Sequence, residues 1–190
     1  TDLEAVFADE AIDAVDICTP TQTHADLIKQ ALNSNKDFFC EKPLCETVAE
    51  AEDILDLIQK TDRIGMVGYI YRFAPIFETG HQIFDRDTLG NVVAAQFRIG
   101  GRGSHQVWKH RKEMGGGAIN EMLVHMLDLA IWYFGGVVEV EVLANELLRP
   151  KRVIQGEEVA VDAEDYVLVR CNLNPALAPE EPDEGTRATL

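Results

Sequence analysis

The 190-residue sequence has few basic residues and no long apolar run. Only 17 Lys and Arg stand against 33 Asp and Glu, and a net charge of −16 would repel a phosphate backbone, so we expect no nucleic-acid partner. No apolar stretch approaches the roughly 20 residues of a membrane-spanning helix, and the first residues lack a secretory signal. These absences predict a soluble, cytoplasmic globular protein with no membrane partner.

Cysteine is also scarce. The four cysteines, Cys18, Cys40, Cys45 and Cys171, form no CxxC pair, so neither a zinc site nor a disulfide framework is predicted. Cys45 is close in sequence to Lys42, which is one setting for a reactive thiol. We interpret it instead as a spacer at the entry to a helix.

Strands and helices alternate in the first third of the chain. The pattern predicts strands at 14–19, 37–40 and 63–70, and helices at about 23–32, with Thr23 as a cap, and 47–60, with Thr47 and Glu50 as a capping box. This order is typical of a parallel sheet covered by helices. Ligands bind beyond the carboxyl ends of such strands, where Thr19-Pro20 and Glu41-Lys42-Pro43 lie.

The pattern changes after Tyr71. A helix is predicted to about Phe84, then a turn at 89–91 and strands at 92–99, 137–148 and 166–173. Several strands with few helices indicate a largely antiparallel sheet. Residues 174–190 place three prolines among acidic residues, and we expect this tail to be a loop or disordered.

A stripe of ionisable residues lies within an unusually apolar predicted helix. Residues spaced four and then three apart share one helix face, so Glu121, His125 and Asp128 point the same way. The rest of the helix is apolar on nearly all sides, which predicts burial. Because a buried unpaired polar group costs roughly 2–7 kcal/mol, the stripe should face a cleft, a partner or a ligand. A satisfied core network is the alternative.

Several motifs occur in a characteristic order. They are Thr19-Pro20 with His24, Glu41-Lys42-Pro43-Leu44, Arg72-Phe73-x-Pro75, and Gly115-Gly116-Gly117 leading to Glu121, His125 and Asp128. In this order, from about Leu3 to Leu143, the chain resembles the Gfo/Idh/MocA oxidoreductases. The resemblance implies a partial Rossmann domain of parallel βαβ type (1–70). It also implies an α+β substrate and oligomerisation domain with a largely antiparallel, open-faced sheet (71–173), here short of a full sheet, followed by the tail (174–190).

The resemblance also implies a function. Such enzymes transfer hydride between NAD or NADP and a secondary alcohol of a sugar, a polyol or a derivative, and they often form homo-oligomers, here a dimer or tetramer through the sheet domain. It places Lys42 beside substrate and nicotinamide, Glu41 near the cofactor ribose, and His125 as the acid/base. The resulting candidates are Lys42, His125 and Glu121 for catalysis, Thr19, Pro20, His24, Glu41, Lys42, Pro43 and Arg72 for the cofactor, and Lys42, Trp108, Glu121 and His125 for the substrate, with no metal.

The chain departs from the family pattern at three places. Position 121 has glutamate where aspartate is common, and Leu123 stands where glycine is frequent. No strand followed by a GxGxxG turn precedes Leu3, and the glycines at 100–103 are no substitute because they open no helix. We expect truncation at the amino end to explain the missing turn.

The predicted chemistry uses the imidazole of His125, whose usual pKa near 6.5 suits removal of a hydroxyl proton. The Lys42 ammonium would stabilise charge on the reacting oxygen, and Glu121 or Asp128 would orient the imidazole. Arg72 is open to two interpretations, a ligand for an anionic substrate or a domain-linking ion pair.

Two other functions stay open at this point. One is a non-catalytic relative that binds a sugar or a partner. The other is a metal-dependent hydrolase or lyase using Glu121, His125 and a second histidine such as His105 or His110.

Overall fold

The structure is a computed structural model that describes residues 2–85, 92 and 94–174. The chain divides between Gly68 and Tyr69 into two compact units. The predicted turn at 89–91 and the predicted tail after Asn174 lie outside the described residues.

The first unit is built on a three-stranded parallel sheet in the order β1-β2-β3. Its elements are α1 (Leu3–Ala8), β1 (Ala14–Ile17), α2 (His24–Asn33), β2 (Asp37–Cys40), α3 (Val48–Ile58) and β3 (Gly65–Val67). Ile17 pairs with Cys40 and Cys40 pairs with Val67, so the three strands end at one edge. The predicted parallel βαβ arrangement is confirmed.

The core of this unit lies between the sheet and the two longer helices. Ile28 and Ala31 of α2, Cys40 of β2 and Ile54 of α3 are fully buried, as the helical spacing of the apolar residues requires. A side chain at Gly65 would come within 2.5 Å of the Phe38 ring, so glycine is needed for this strand to pack. Burying each large side chain stabilises the fold by roughly 1.5–3 kcal/mol.

The second unit combines two helices with antiparallel strands. Its elements are α4 (Pro75–Asp85), α5 (Val124–Phe134), β4 (Gly136–Glu146), β5 (Lys151–Ile154), β6 (Glu157–Ala160) and β7 (Tyr166–Asn174). Strand β4 pairs with β7, and β5 pairs with β6. The predicted α+β arrangement with antiparallel strands is confirmed.

Two predicted elements differ in the structure, and two observed elements were not predicted. The third strand spans only Gly65–Val67, because the chain turns into a short 3₁₀ helix at Ile70–Phe73. Residue 92 and residues 94–99 form no strand, since an alternating pattern does not by itself supply a hydrogen-bonded neighbour. The hairpin β5–β6 and helix α1 were not predicted.

Helix α5 is less buried than its composition predicts. Of its 11 residues only His125, Asp128, Leu129 and Ala130 are buried. Its carboxyl end carries Trp132, Tyr133 and Phe134, whose rings pack with each other and with α4 but remain partly accessible, as large aromatic side chains often do. Within residues 2–85 and 94–174, no helix has the length and apolar character needed to cross a membrane.

Candidate active site

The first group of predicted site residues lies at the sheet edge of the first unit. Thr19 and Pro20 follow β1, and Glu41 follows β2, where its backbone N–H donates to the Ile17 carbonyl at 3.0 Å. This bond continues the ladder one residue past the strand end. The two exit segments are therefore neighbours, as the parallel order predicts.

His24 joins these two segments. Its ring is buried, with Nε2 2.8 Å from the Thr19 carbonyl oxygen and Nδ1 2.9 Å from the Pro43 carbonyl oxygen. Both partners are backbone carbonyl oxygens, so each ring nitrogen faces an acceptor. His24 thus holds the turn after β1 against the turn after β2.

The groups at this edge fit a dinucleotide. Thr19 is exposed, and its hydroxyl shares a hydrogen bond of 2.6 Å with the Thr23 hydroxyl. Glu41 and Lys42 are half-buried and offer a carboxylate and an ammonium, which suit ribose hydroxyls and an amide. At Gly68 an added Cβ would lie 3.4 Å from the Glu41 carboxylate, so glycine keeps that side of the carboxylate open.

The pKa values of two thiols near this edge, Cys45 and Cys18, are raised above the usual thiol value. Burial raises the pKa of the Cys45 thiol, and a hydrogen bond to Asp16 raises the pKa of the Cys18 thiol. A raised pKa lowers the fraction of reactive thiolate at neutral pH. The interpretation of Cys45 as a non-catalytic residue is consistent with this.

The second group of predicted site residues lies in the second unit, around the start of α5. Helix α5 is preceded by a π-helical turn at Ile119–Leu123, which contains Glu121. Such turns are rare and occur frequently at functional sites. The spacing of the apolar residues predicted a single regular helix here, without this turn.

The glycine triplet allows close packing beside the helix start. An added Cβ at Gly116 would lie 2.5 Å from the Lys109 carbonyl oxygen, and Gly117 has φ +113° and lies against the Glu164 carboxylate. The Gly117 N–H donates to the Lys109 carbonyl at 3.0 Å. The triplet therefore brings the 3₁₀ turn Val107–His110 to the helix that carries Glu121.

Lys109 and Glu121 form an ion pair. The same ammonium lies 5.1 Å from the centroid of the Trp108 ring, within cation–π distance. Trp108 is 36% exposed, so part of its ring faces solvent. The structure thus brings together two predicted substrate-binding residues, Trp108 and Glu121, through a lysine that had no predicted role.

Arg72 and Asp128 form a second ion pair. The Arg72 Nε lies 2.9 and 3.1 Å from the two carboxylate oxygens, and its Nη2 lies 2.5 Å from Oδ1. The guanidinium carbon is also 5.8 Å from the centroid of the Trp132 ring. Both charged residues belong to the second unit, so the pair stabilises that unit internally and is not a link between domains.

His125 lies between these two carboxylates in sequence and is 7% exposed. Its imidazole stacks on the Tyr71 ring, with centroids 4.5 Å apart and planes at 22°. Tyr71 was not a predicted site residue. The only sequence signal for it is its position next to the Arg72-Phe73-x-Pro75 motif.

The metal-dependent alternative has no support in the part of the chain that the structure describes. Within it, no group of three or more His, Cys, Asp or Glu side chains is arranged to hold a metal ion. Glu121 is paired with Lys109, and the His110 Nε2–H donates to the Ser104 carbonyl at 3.0 Å.

The site residues therefore form two groups, one in each unit. The first unit holds Thr19, Pro20, His24, Glu41, Lys42 and Pro43, and the second unit holds Arg72, Trp108, Glu121 and His125. A parallel sheet whose strands end at one edge, with the two turns there held together by a buried histidine, is the arrangement of Rossmann-type nucleotide-binding folds.

The comparison with known proteins gives the family. Residues 1–69 match the family described as "Oxidoreductase family, NAD-binding Rossmann fold", and residues 77–177 match the "GFO/IDH/MocA C-terminal domain". The chain belongs to the Gfo/Idh/MocA oxidoreductase family.

Three relatives illustrate the match. The chain is 33% identical over 133 residues to inositol 2-dehydrogenase of Rhizobium meliloti, covering 70% of this chain and 40% of that protein. It is 30% identical over 135 residues to scyllo-inositol 2-dehydrogenase (NAD(+)) of Bacillus subtilis, covering 70% and 38%. The crystal structure of an oxidoreductase domain protein from Kribbella flavida has a TM-score of 0.76 at 27% identity, covering 90% and 48%. The chain thus spans less than half the length of these relatives.

Proposed function

We propose that the protein is an NAD(P)-dependent oxidoreductase that transfers hydride between a nicotinamide cofactor and a secondary alcohol of a sugar, a polyol or a derivative. The observation that carries the proposal is the buried His125 on α5, flanked by carboxylates that each have a cationic partner. An imidazole is the side chain best suited in general to accept and return a proton near neutral pH. Two relatives are named as inositol dehydrogenases, which supports a polyol or sugar substrate.

The residues take separate roles in this proposal. His125 accepts the hydroxyl proton in oxidation and returns it in reduction. The Lys42 ammonium stabilises the reacting oxygen, and Glu121 with Trp108 binds the substrate, its hydroxyls to the carboxylate and its apolar face to the ring. When bound, the nicotinamide accepts or supplies the hydride.

The edge of the first sheet holds the cofactor in this proposal. Thr19, Pro20, Glu41, Lys42 and Pro43 contact it, and His24 acts by fixing the turns that present them. Arg72 has its charge compensated by Asp128, so a direct cofactor contact is the weakest of these assignments. NAD as cofactor is supported by the match of residues 1–69 to an NAD-binding Rossmann fold. Use of NADP, assembly into a homo-oligomer and a cytoplasmic location remain predictions.

The test is a panel of sugars and polyols, each assayed with NAD⁺ and NADP⁺ for formation of the reduced cofactor. We expect turnover with some member of the panel, and a loss of about 10²–10⁴-fold in kcat in His125→Gln with cofactor affinity nearly unchanged. His105→Gln is the matched control, because His105 is exposed, and we expect wild-type turnover in it.

Two results would contradict the proposal. Wild-type turnover in His125→Gln would remove the acid/base role. Cofactor binding without turnover on any substrate would support the non-catalytic alternative.

A further inference from the structure

The imidazole of His125 must be held in one orientation to exchange protons efficiently with a substrate. The sequence predicts that Glu121 or Asp128 does this. In the structure Asp128 receives three hydrogen bonds from Arg72, and Glu121 pairs with Lys109. The ring itself lies face to face with Tyr71.

Tyr71 is well placed to hold that ring. Its ring stacks with the His125 ring at a centroid distance of 4.5 Å, and with the Phe77 ring of α4 at 5.3 Å and an interplanar angle of 20°. Tyr71 is thus the ring that has stacking contacts with both His125 and Phe77. Aromatic pairs at such distances contribute more than the burial of their surface alone.

The backbone around Tyr71 is also fixed. The Ala74 N–H donates to the Tyr71 carbonyl at 3.1 Å, and the Arg72 N–H donates to the Tyr69 carbonyl at 3.1 Å. The next side chain, Arg72, is bound to Asp128, three residues beyond His125 on the same helix. Tyr71 and Arg72 therefore contact His125 and Asp128, which lie three residues apart on one face of α5.

We propose that Tyr71 is the positioning residue for His125, fixing the plane of the imidazole by stacking on its face. This inference rests on the proposed function, in which His125 is the acid/base. Stacking occupies a face of the ring and constrains its rotation, whereas the nitrogens lie on the ring edge, where proton transfer takes place.

The experiment joins a spectroscopic readout with kinetics. The protein has five histidines. The NMR signals of the His125 ring protons are identified as those missing from the spectrum of His125→Gln. We expect an upfield ring-current shift of these protons in the wild type, retained in Tyr71→Phe and lost in Tyr71→Leu. With an active substrate, Tyr71→Leu should lose about tenfold in kcat with KM within about twofold, and Tyr71→Phe should restore the rate.

Phe77→Leu is the matched control, because it removes the other ring that stacks with Tyr71 and leaves the contact between Tyr71 and His125. We expect it to keep the upfield shift and to stay within about threefold of wild-type kcat. Unchanged His125 shifts in Tyr71→Leu would overturn the inference, and so would an equal kcat loss in Phe77→Leu, which would indicate general packing. The NMR measurement needs no substrate. Absence of turnover would therefore count against the proposed function, and the NMR shifts would still show whether Tyr71 stacks on His125.

Discussion

Asp128 and Glu121, the two carboxylates that flank His125, obtain their counter-charges from outside their own helix. Arg72 comes from the turn before α4, and Lys109 comes from the turn held by the glycine triplet. Burial of a charged side chain is costly unless an opposite charge or a hydrogen bond compensates it. Both pairs thus join separate segments of the second unit, and the loss of one partner leaves the other charge uncompensated.

Cys40 at the end of β2 gives a prediction about pH. Its thiol is fully buried, and burial raises its pKa from 9.0 to about 12. The unfolded chain releases this proton above about pH 9 while the folded chain keeps it, so the free energy of unfolding falls as pH rises from 9 toward 12. We expect Cys40→Val to reduce this slope by up to about 1.4 kcal/mol per pH unit, measured by urea unfolding at a series of pH values.

Cys18→Val serves as the control for that measurement. Cys18 is exposed, and a hydrogen bond to Asp16 is the main cause of its raised pKa, so its replacement should change the slope less. Identical slopes in the wild type and Cys40→Val would show that the Cys40 thiol does not contribute.

Among the helices and strands, sequence-based prediction was most reliable where nearby side chains hydrogen-bond to the backbone at the end of an element. Thr47 and Glu50 form the predicted capping box, with the Glu50 N–H donating to the Thr47 hydroxyl at 3.2 Å and the Thr47 N–H donating to the Glu50 carboxylate at 2.9 Å. By contrast, the π-helical turn before α5 has no recognised local signal. It was therefore not predictable from spacing alone.

The capping box gives a prediction about the stability of α3. Thr47→Ala removes the acceptor for the Glu50 N–H at the amino end of the helix. We expect it to lower the free energy of unfolding by about 1 kcal/mol, measured by urea unfolding. Thr47→Ser keeps the hydroxyl and is the control, for which stability near the wild type is expected. An equal loss in both variants would indicate that the methyl group, not the cap, is responsible.

For the whole molecule, the dominant property is its charge. A net charge of −16 produces repulsion among acidic surface residues, which opposes the folded state.

Family membership and the order of elements follow from the sequence as a whole, because several motifs occur in sequence and match family descriptions over 1–69 and 77–177.

This charge predicts that salt stabilises the protein. Raising the ionic strength from about 0.01 M to about 0.15 M shortens the screening length from about 30 Å to about 8 Å. We expect the melting temperature to rise by about 2–4 °C, followed by circular dichroism, with NaCl and KCl giving equal shifts. A fall in melting temperature would show that screening of ion pairs such as Lys109 with Glu121 outweighs the relief of repulsion.

The sequence by itself determined the parallel strands and helices of the first unit, the edge with Thr19 and Glu41, and the helix with His125. These follow from periodicity, capping and strand order, which are properties of neighbouring residues. Only the tertiary structure decided which partner each site residue has. Tyr71 against His125 and Lys109 against Glu121 are contacts between segments separated along the chain, and no local pattern specifies which segments pack together.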